Sequence, residues 1–555
     1  MSPTLFFPLA LVVLAQSALA QQPPPAGGQL QQIPPTPVAP RPPPEIRIQP
    51  PAAPSAEGAD QVKITVRSLR VSGNRVYSEP ELIEVASFRP GSELSLADLR
   101  EMAARITAHY RAHGYFVALA YLPQQEVKDN VVTIAVSEGR YRSVAVNNSS
   151  RLADRVVRAN LGGINSGDPI LLDPLESRLL LMSDVPGVNV SSTLVPGADI
   201  GTSDLLVDIT PGRLISGSVD FDNAGNYYTG EWRIGATLNV NNPLGLGDVA
   251  SLRLLTSGEG LKYARASYQL QVGRGQVGVA YSQLDYRLGK EFESLGAHGT
   301  AKIASVFGRY PVIRSRSNNL YAQLAYDASK FQDIIDSVPL VTDRRTDVLR
   351  ASLYGDHADS FGGGGQTSYG VTWSTGSLDI QTPAALAIDA VTARSNGHFN
   401  KLSFNLARSQ ALGGPFSLYA GLNGQLASKN LDVSEKMELG GMYAVRAYPE
   451  GEAYADEGVV LTIEGRMELP RLWDRQPGHM QLIAFADAGS VRTNHEPWTS
   501  LDNSRTLSGA GVGAAWSDPG NFMLRAYYAV KLGNEKALSS PDKSGRFWIQ
   551  GVKYF

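Results

Sequence analysis

The chain has 555 residues, with 50 Lys and Arg against 53 Asp and Glu, a net charge of −3, 55 Gly, 34 Pro and no Cys. Missing thiols exclude disulfide staples, thiolate metal sites and thiol catalysis, and a sequence pI of 6.2 leaves no basic footprint for nucleic acid. At 43% hydrophobic and 19% charged residues the chain is too apolar for disorder and too polar for a bundle of membrane helices, while a membrane β-barrel, whose lipid-facing residues occupy every second position, stays open.

Residues 5–20 (LFFPLALVVLAQSALA) form an apolar run ending in Ala18-Leu19-Ala20, a small-x-small cleavage pattern. Residues 1–20 read as a secretory signal peptide, although no Lys or Arg precedes the run. Residues 21–61 are dense in proline, including Pro23, Pro24, Pro25, Pro34, Pro35 and Pro42. Proline fixes φ and removes donors, so this stretch is expected to be an extended linker.

Residues 62–142 then change character. A strand over 63–71 is followed by a short helix over 79–86 and a longer helix with Ser95 as N-cap. Asp98 stands three residues after that cap, Leu99, Ala103, Ile106 and Tyr110 share one face, and Gly114 stops the helix. Strands over 116–121 and 131–136 complete a β-α-α-β-β unit. The order repeats over residues 143–212, where Asp173, Pro174 and Glu176 suggest N-cap, N1 and N3 of the second helix and Pro186-Gly187 ends it. Such a repeat is an architectural statement. With Ser183-Asp184-Val185-Pro186-Gly187-Val188 leading into a strand, the two units resemble POTRA domains, the α+β periplasmic modules of the Omp85 superfamily. The resemblance implies capture of unfolded chains at exposed strand edges, where unpaired backbone groups accept an added strand.

From residue 213 to 555 the period becomes two. Trp232, Ile234, Ala236, Leu238 and Val240 alternate with Arg233, Gly235, Thr237 and Asn239, and Val459, Leu461 and Ile463 with Thr462 and Glu464. Alternation alone does not say which face meets the core. Segments of roughly 9–11 residues, aromatic residues near their ends and a terminal Phe555 favour an all-β transmembrane barrel of about sixteen antiparallel strands. The weakest segments of that pattern are 300–309 and 346–355.

One connection, residues 428–457, is too long for a plain turn. It contains Val445-Arg446-Ala447-Tyr448, and a later strand carries Phe485-Ala486-Asp487-Ala488-Gly489. A loop held inside a barrel loses conformational entropy and needs a specific anchor. Arginine offers a planar fork that a carboxylate meets bidentately, so Arg446 and Asp487 are the expected loop-to-barrel anchor, with Val445, Tyr448, Phe485 and Gly489 as motif neighbours. Glu450 and Glu452, in an acidic stretch of the loop, are expected to be solvated.

The two motifs resemble the VRG[YF] and F-x-D-x-G signatures of Omp85-superfamily transporters, with alanine at position 447 in place of the usual glycine. Together with two POTRA-like units and Asn242-Pro243-Leu244-Gly245-Leu246-Gly247-Asp248, they resemble a two-partner secretion transporter of the haemolysin-activator/filamentous-haemagglutinin type. The resemblance implies an outer-membrane pore that exports one large unfolded adhesin or haemolysin-like exoprotein captured by the POTRA edges, with the POTRA modules in the periplasm. It also implies a short plug helix before the first module, for which the proline-packed interval leaves room only near residues 28–33. Phe555 resembles a C-terminal signal for the barrel-assembly machinery, although Lys553 departs from the usual apolar occupant. The partners expected are the exoprotein, outer-membrane lipid and that machinery, with no nucleic acid. No phosphate-binding loop, metal-ligand spacing or catalytic constellation is found, so neither a cofactor nor enzymatic activity is expected. The alternatives are an insertase that folds other barrels into the membrane and, behind it, a passive porin.

Overall fold

The computed structural model describes residues 23–39, 44–48, 62–199 and 201–555; the expected signal segment lies outside them. The first module pairs Ser68–Ser72 in parallel with Val131–Ser137, which in turn pairs antiparallel with Leu119–Tyr121. Its long helix, Leu96–Ala112, starts from a complete capping box. Ser95 Oγ accepts from Asp98 N at 3.2 Å, and Ser95 N donates to Asp98 Oδ2 at 2.8 Å. Leu99, Ala103, Ile106 and Tyr110 are buried against the sheet, the apolar face seating the helix.

The second module packs helices Asp154–Leu161 and Leu172–Ser183 on a sheet of Arg140–Asn148, Thr202–Pro211 and Val188–Pro196. Its second helix starts two residues earlier than the spacing suggests: Leu171 occupies the N-cap and no side chain caps it, while Asp173 lies in the first turn. There a carboxylate still complements the helix dipole.

The proline-rich interval is not simply an extended linker. Ala26–Gln31 is a helix with buried Ala26, Gly27, Gly28 and Gln29, and Glu45–Ile48 is a strand parallel to the edge strand Val188–Pro196 of the second module. Pro23, Pro24 and Pro25 stand just before the helix, where missing N–H donors cost nothing, and Pro34 and Pro35 stand beyond its end.

Sixteen antiparallel strands in sequence order, from Ile215–Asp222 to Gly545–Tyr554, form a closed barrel. The outward residues are apolar, for example Ile234, Leu238, Leu252, Leu324, Leu353, Trp373, Leu461 and Val512, all exposed on the protein surface. Asp220, Asp222, Arg233, Arg253, Glu464 and Asp487 are buried inside. Charge within and hydrocarbon surface without is the reverse of a soluble sandwich and suits lipid.

Strand length varies around the wall. Ala297–Arg314, Asn318–Ile335 and Leu340–Asp359 run 18, 18 and 20 residues, well past the segments the alternation suggests. The extra pairing lies where the outward face is no longer apolar, so a period-two apolar signal stops short of it. Closure is the thinnest contact. Asp222 to Ser218 pair with Gln550 to Tyr554, five residue pairs, and Phe555 continues the ladder with two backbone bonds to Gly217 of 3.0 and 3.1 Å.

The barrel carries short turns at one end and long loops at the other. The second module sits under the turn end. Ala153 N donates to Gly245 O at 2.8 Å, Arg314 forks onto Asp184 at 2.7 and 2.9 Å, and Arg316 Nε lies 2.9 Å from Glu176. The Asn242–Asp248 turn is thus part of the docking surface, with Asp248 Oδ2 fixed by Tyr268 Oη at 2.7 Å.

Candidate functional site: a loop pinned inside the barrel

The strands Phe416–Ala427 and Glu457–Glu468 are neighbours in the wall, and the residues between them fold back into the lumen. Their entry is fixed by charge. Asp432 pairs with Arg344, and Glu435 meets Arg350 Nη2 and Lys401 Nζ, each at 2.7 Å. All three cations stand on wall strands, where Arg344 and Arg350 also pair with the wall carboxylates Asp333 and Asp327, so the loop joins an existing charge network on the inner face.

At the loop tip each of the three guanidinium nitrogens of Arg446 donates to a carboxylate. Nε and Nη2 each donate to Asp487 at 2.8 Å, Nη1 donates to Glu464 Oε1 at 2.7 Å, and the backbone N reaches Asp487 Oδ2 at 3.1 Å. Thr462 Oγ1 gives Asp487 a further bond at 3.0 Å. The guanidinium lies 3.5 Å over the Phe485 ring, which meets Tyr527 edge-on at 5.8 Å. Trp548 Nε1 donates to Arg446 O at 2.7 Å from the last strand. Arg446, Asp487 and Glu464 are all nearly sealed from solvent, at 4%, 1% and 5% exposure. A buried charge is tolerated only when paired and hydrogen-bonded; two carboxylates and an aromatic face meet that demand here.

The structure brings Arg446, Asp487 and Phe485 into direct contact and packs Val445 and Tyr448 around them, both fully buried. Tyr448 Oη reaches Glu535 O at 3.1 Å in a neighbouring loop. Gly489 touches neither charge: a Cβ there would stand 2.4 Å from Leu439 Cδ1, so the glycine makes room for the incoming loop. The alanine at 447 is accommodated from the opposite side. Its Cβ faces Gly509 of strand Ser504–Asp518, where an added Cβ would come within 2.5 Å.

Two groups fall outside the sequence expectation. Glu464 completes the arginine's coordination, and its only advance signal is its inward place in the alternation beside Thr462 and Arg466. Glu450 and Glu452 are buried, at 6% and 0% exposure, rather than solvated. Glu452 accepts from Ser539 Oγ at 2.6 Å and Ser539 N at 2.9 Å and pairs with Arg505, and Glu450 Oε1 accepts from Met442 N at 2.7 Å. An acidic stretch on a surface loop would be hydrated; folded into the lumen, the same carboxylates become internal staples.

The N-terminal helix Ala26–Gln31 fills the space beside this loop. Gln31 Nε2 donates to Val433 O at 2.7 Å, Gln32 Nε2 to Tyr454 Oη at 2.6 Å, and Tyr454 Oη to Gly28 O at 3.1 Å. Ala26 N donates to Asp333 Oδ1 at 2.8 Å and Arg233 Nη1 to Gln32 O at 2.6 Å, both from the wall. A Cβ at Gly27 would come within 2.8 Å of Ser434 Cβ.

The sequence profile of the haemolysin secretion/activation proteins ShlB/FhaC/HecB matches residues 201–516, and that of the ShlB-type POTRA domain matches residues 64–139. The chain belongs to this family. It is similar to the heme/hemopexin transporter protein HuxB of Haemophilus influenzae (strain 86-028NP), at 30% identity over 92% of this chain and 93% of the relative. It is also similar to the outer membrane transporter CdiB of Dickeya dadantii, at 23% identity over 81% and 79% of the two chains. The solved structure of CdiB from Escherichia coli shares the fold with a TM-score of 0.66 at 20% identity, covering 91% of this chain and 93% of that one. The chain is therefore an outer-membrane β-barrel of two-partner secretion, a pore through which a partner exoprotein is exported.

Proposed function

We propose that the exoprotein enters as an extended segment at the edge of the second POTRA module, which faces the periplasm, and passes through the lumen once the N-terminal helix has left it. One observation carries this reading: the edge strand Val188–Pro196 already holds an added strand, Glu45–Ile48, supplied by the chain itself. An edge that accepts four residues of its own linker by backbone pairing accepts a client strand by the same bonds.

The helix Ala26–Gln31 and the strand Glu45–Ile48 lie on one tether, so a client that displaces the strand frees the stretch of chain that ends in the helix. The loop stays behind, held by Arg446 on Asp487 and Glu464, and acts as a fixed inner wall of the conduit. Phe555, paired with Gly217 at the barrel seam, acts earlier, as the signal read by the barrel-assembly machinery. The HuxB relative is named a heme/hemopexin transporter, which makes a haem-acquisition exoprotein the first client to test.

Ile46 and Ser192 are register partners in the added pair, and the chain has no other thiol to interfere. An Ile46→Cys/Ser192→Cys variant cross-linked in the cell envelope should stop export of a co-expressed client, and reduction should restore it. Full export from the oxidised form would overturn capture at this edge.

A further inference from the structure

The turn joining the strands Glu457–Glu468 and His479–Arg492 contains Arg471-Leu472-Trp473-Asp474-Arg475. Leu472 and Trp473 project from it, 58% and 47% exposed. The turn is nevertheless well built. Leu472 N donates to the buried Gln476 Oε1 at 2.8 Å, and Gln476 N returns to Trp473 O at 3.3 Å. Two exposed apolar side chains on an ordered turn ask for a partner.

Their direction says which. Trp473 stands edge-on to Trp516 at 5.9 Å, and Trp516 edge-on to Phe522 at 4.9 Å. Trp516 Nε1 donates to Pro477 O at 2.8 Å, binding the turn to the neighbouring strand. Trp516 shares its face of strand Ser504–Asp518 with the 61% exposed Val512, so the row lies on the outward wall. Trp473 thus continues, beyond the last strand residues, the surface that already meets hydrocarbon. Arg471 and Arg475 flank the apolar pair, both exposed, with Asp474 between them. Among the described residues neither arginine has a carboxylate within salt-bridge distance.

We propose that this turn is a phospholipid anchor, with Leu472 and Trp473 entering the interfacial zone of the leaflet at the turn end and Arg471 and Arg475 meeting headgroup phosphates. Trp with flanking cations is the chemistry of that zone: an amphipathic ring at the boundary and guanidinium forks matched to phosphate oxygens. The turn joins the two strands that carry Glu464 and Asp487, so the anchor fixes the depth of the wall that holds Arg446. The proposal rests on the barrel reading but not on which compartment the turn end faces.

The test uses the full chain in nanodiscs of phosphatidylethanolamine and phosphatidylglycerol. A fluorophore on Trp473→Cys should be quenched by brominated acyl chains, as one on the outward Val512→Cys is, and shielded from aqueous iodide relative to one on Glu126→Cys in the first module. Arg471→Gln/Arg475→Gln should lower the preference for phosphatidylglycerol over phosphatidylethanolamine at least twofold while the barrel remains folded. Iodide access at position 473 equal to that at 126, or an unchanged lipid preference in the double variant, would overturn the anchor. So would self-quenching between labels at 473, which would make the turn a contact between two copies.

Discussion

At the scale of single residues, the loop tip depends on where volume is placed as much as on charge. Ala447 and Gly509 face each other with no room for a second methyl group. Gly509→Ala should therefore displace the loop, at a cost of roughly 1–3 kcal/mol for overpacking, and lower both thermal stability and export. Adding Ala447→Gly to that variant should recover both, and failure to recover would remove the pairing. Arg446→Ala leaves Asp487 and Glu464 buried without their cation, a situation that costs about 3–5 kcal/mol when a buried pair is broken. The expected outcome is lost export with barrel insertion retained, read from client in the medium and from heat-modifiable migration of the barrel. The arginine and aspartate were legible in the sequence because each sits in a short motif at a fixed place. Glu464 was not, because an inward glutamate in an alternating strand looks the same whether it faces water or a guanidinium.

At the scale of elements, caps and pleats were legible where one local interaction decides them. Ser95 and Asp98 make a reciprocal pair within one turn, and the helix starts where they place it. The two bonds from Ser95 hold the Asp98 carboxyl below its ordinary range. A depressed folded-state pKa contributes stability that is present above the unfolded carboxylate value and is lost as pH falls through the folded one. Amide protection over Leu99 and Ala103 in the full chain, corrected for the intrinsic exchange rate, should therefore fall below about pH 4, and the Asp98→Asn variant should lose that acid sensitivity. Asp173 misled for the complementary reason: an Asp-Pro pair favours a helix start, but packing of Leu175 and Leu179, both fully buried, sets the helix two residues earlier. The N-terminal helix was legible only through the family resemblance, which left room for it near residues 28–33, and the proline-rich composition hid its bounds. Its six residues are stabilised by contacts with Val433, Tyr454, Asp333 and Arg233, hundreds of positions away, and no window of sequence contains those partners.

For the whole molecule, two elements occupy the lumen and differ in how firmly they are held. The loop is pinned by buried ion pairs with Arg344, Arg350, Lys401, Asp487 and Glu464. The helix Ala26–Gln31 is held by neutral or singly charged hydrogen bonds, each worth about 0.5–3 kcal/mol net. On the proposed route the helix is therefore the part expected to leave. Deleting residues 23–33 should raise single-channel conductance in planar bilayers several-fold, whereas conductance equal to the intact chain would mean that the loop alone closes the pore. Fold class was readable at this scale because apolar alternation repeats around the wall. Where that wall rises past the hydrocarbon, in the strands of 18 to 20 residues, the outward residues turn polar and the pattern fades although the pairing continues.

The cylinder has one thin join. Adjacent long strands share up to eighteen residue pairs, whereas first and last share five and a short continuation at Phe555. Heat or denaturant should find this stave before any other, so loss of the structure begins as a sheet uncurling from a single slit rather than as a general loosening.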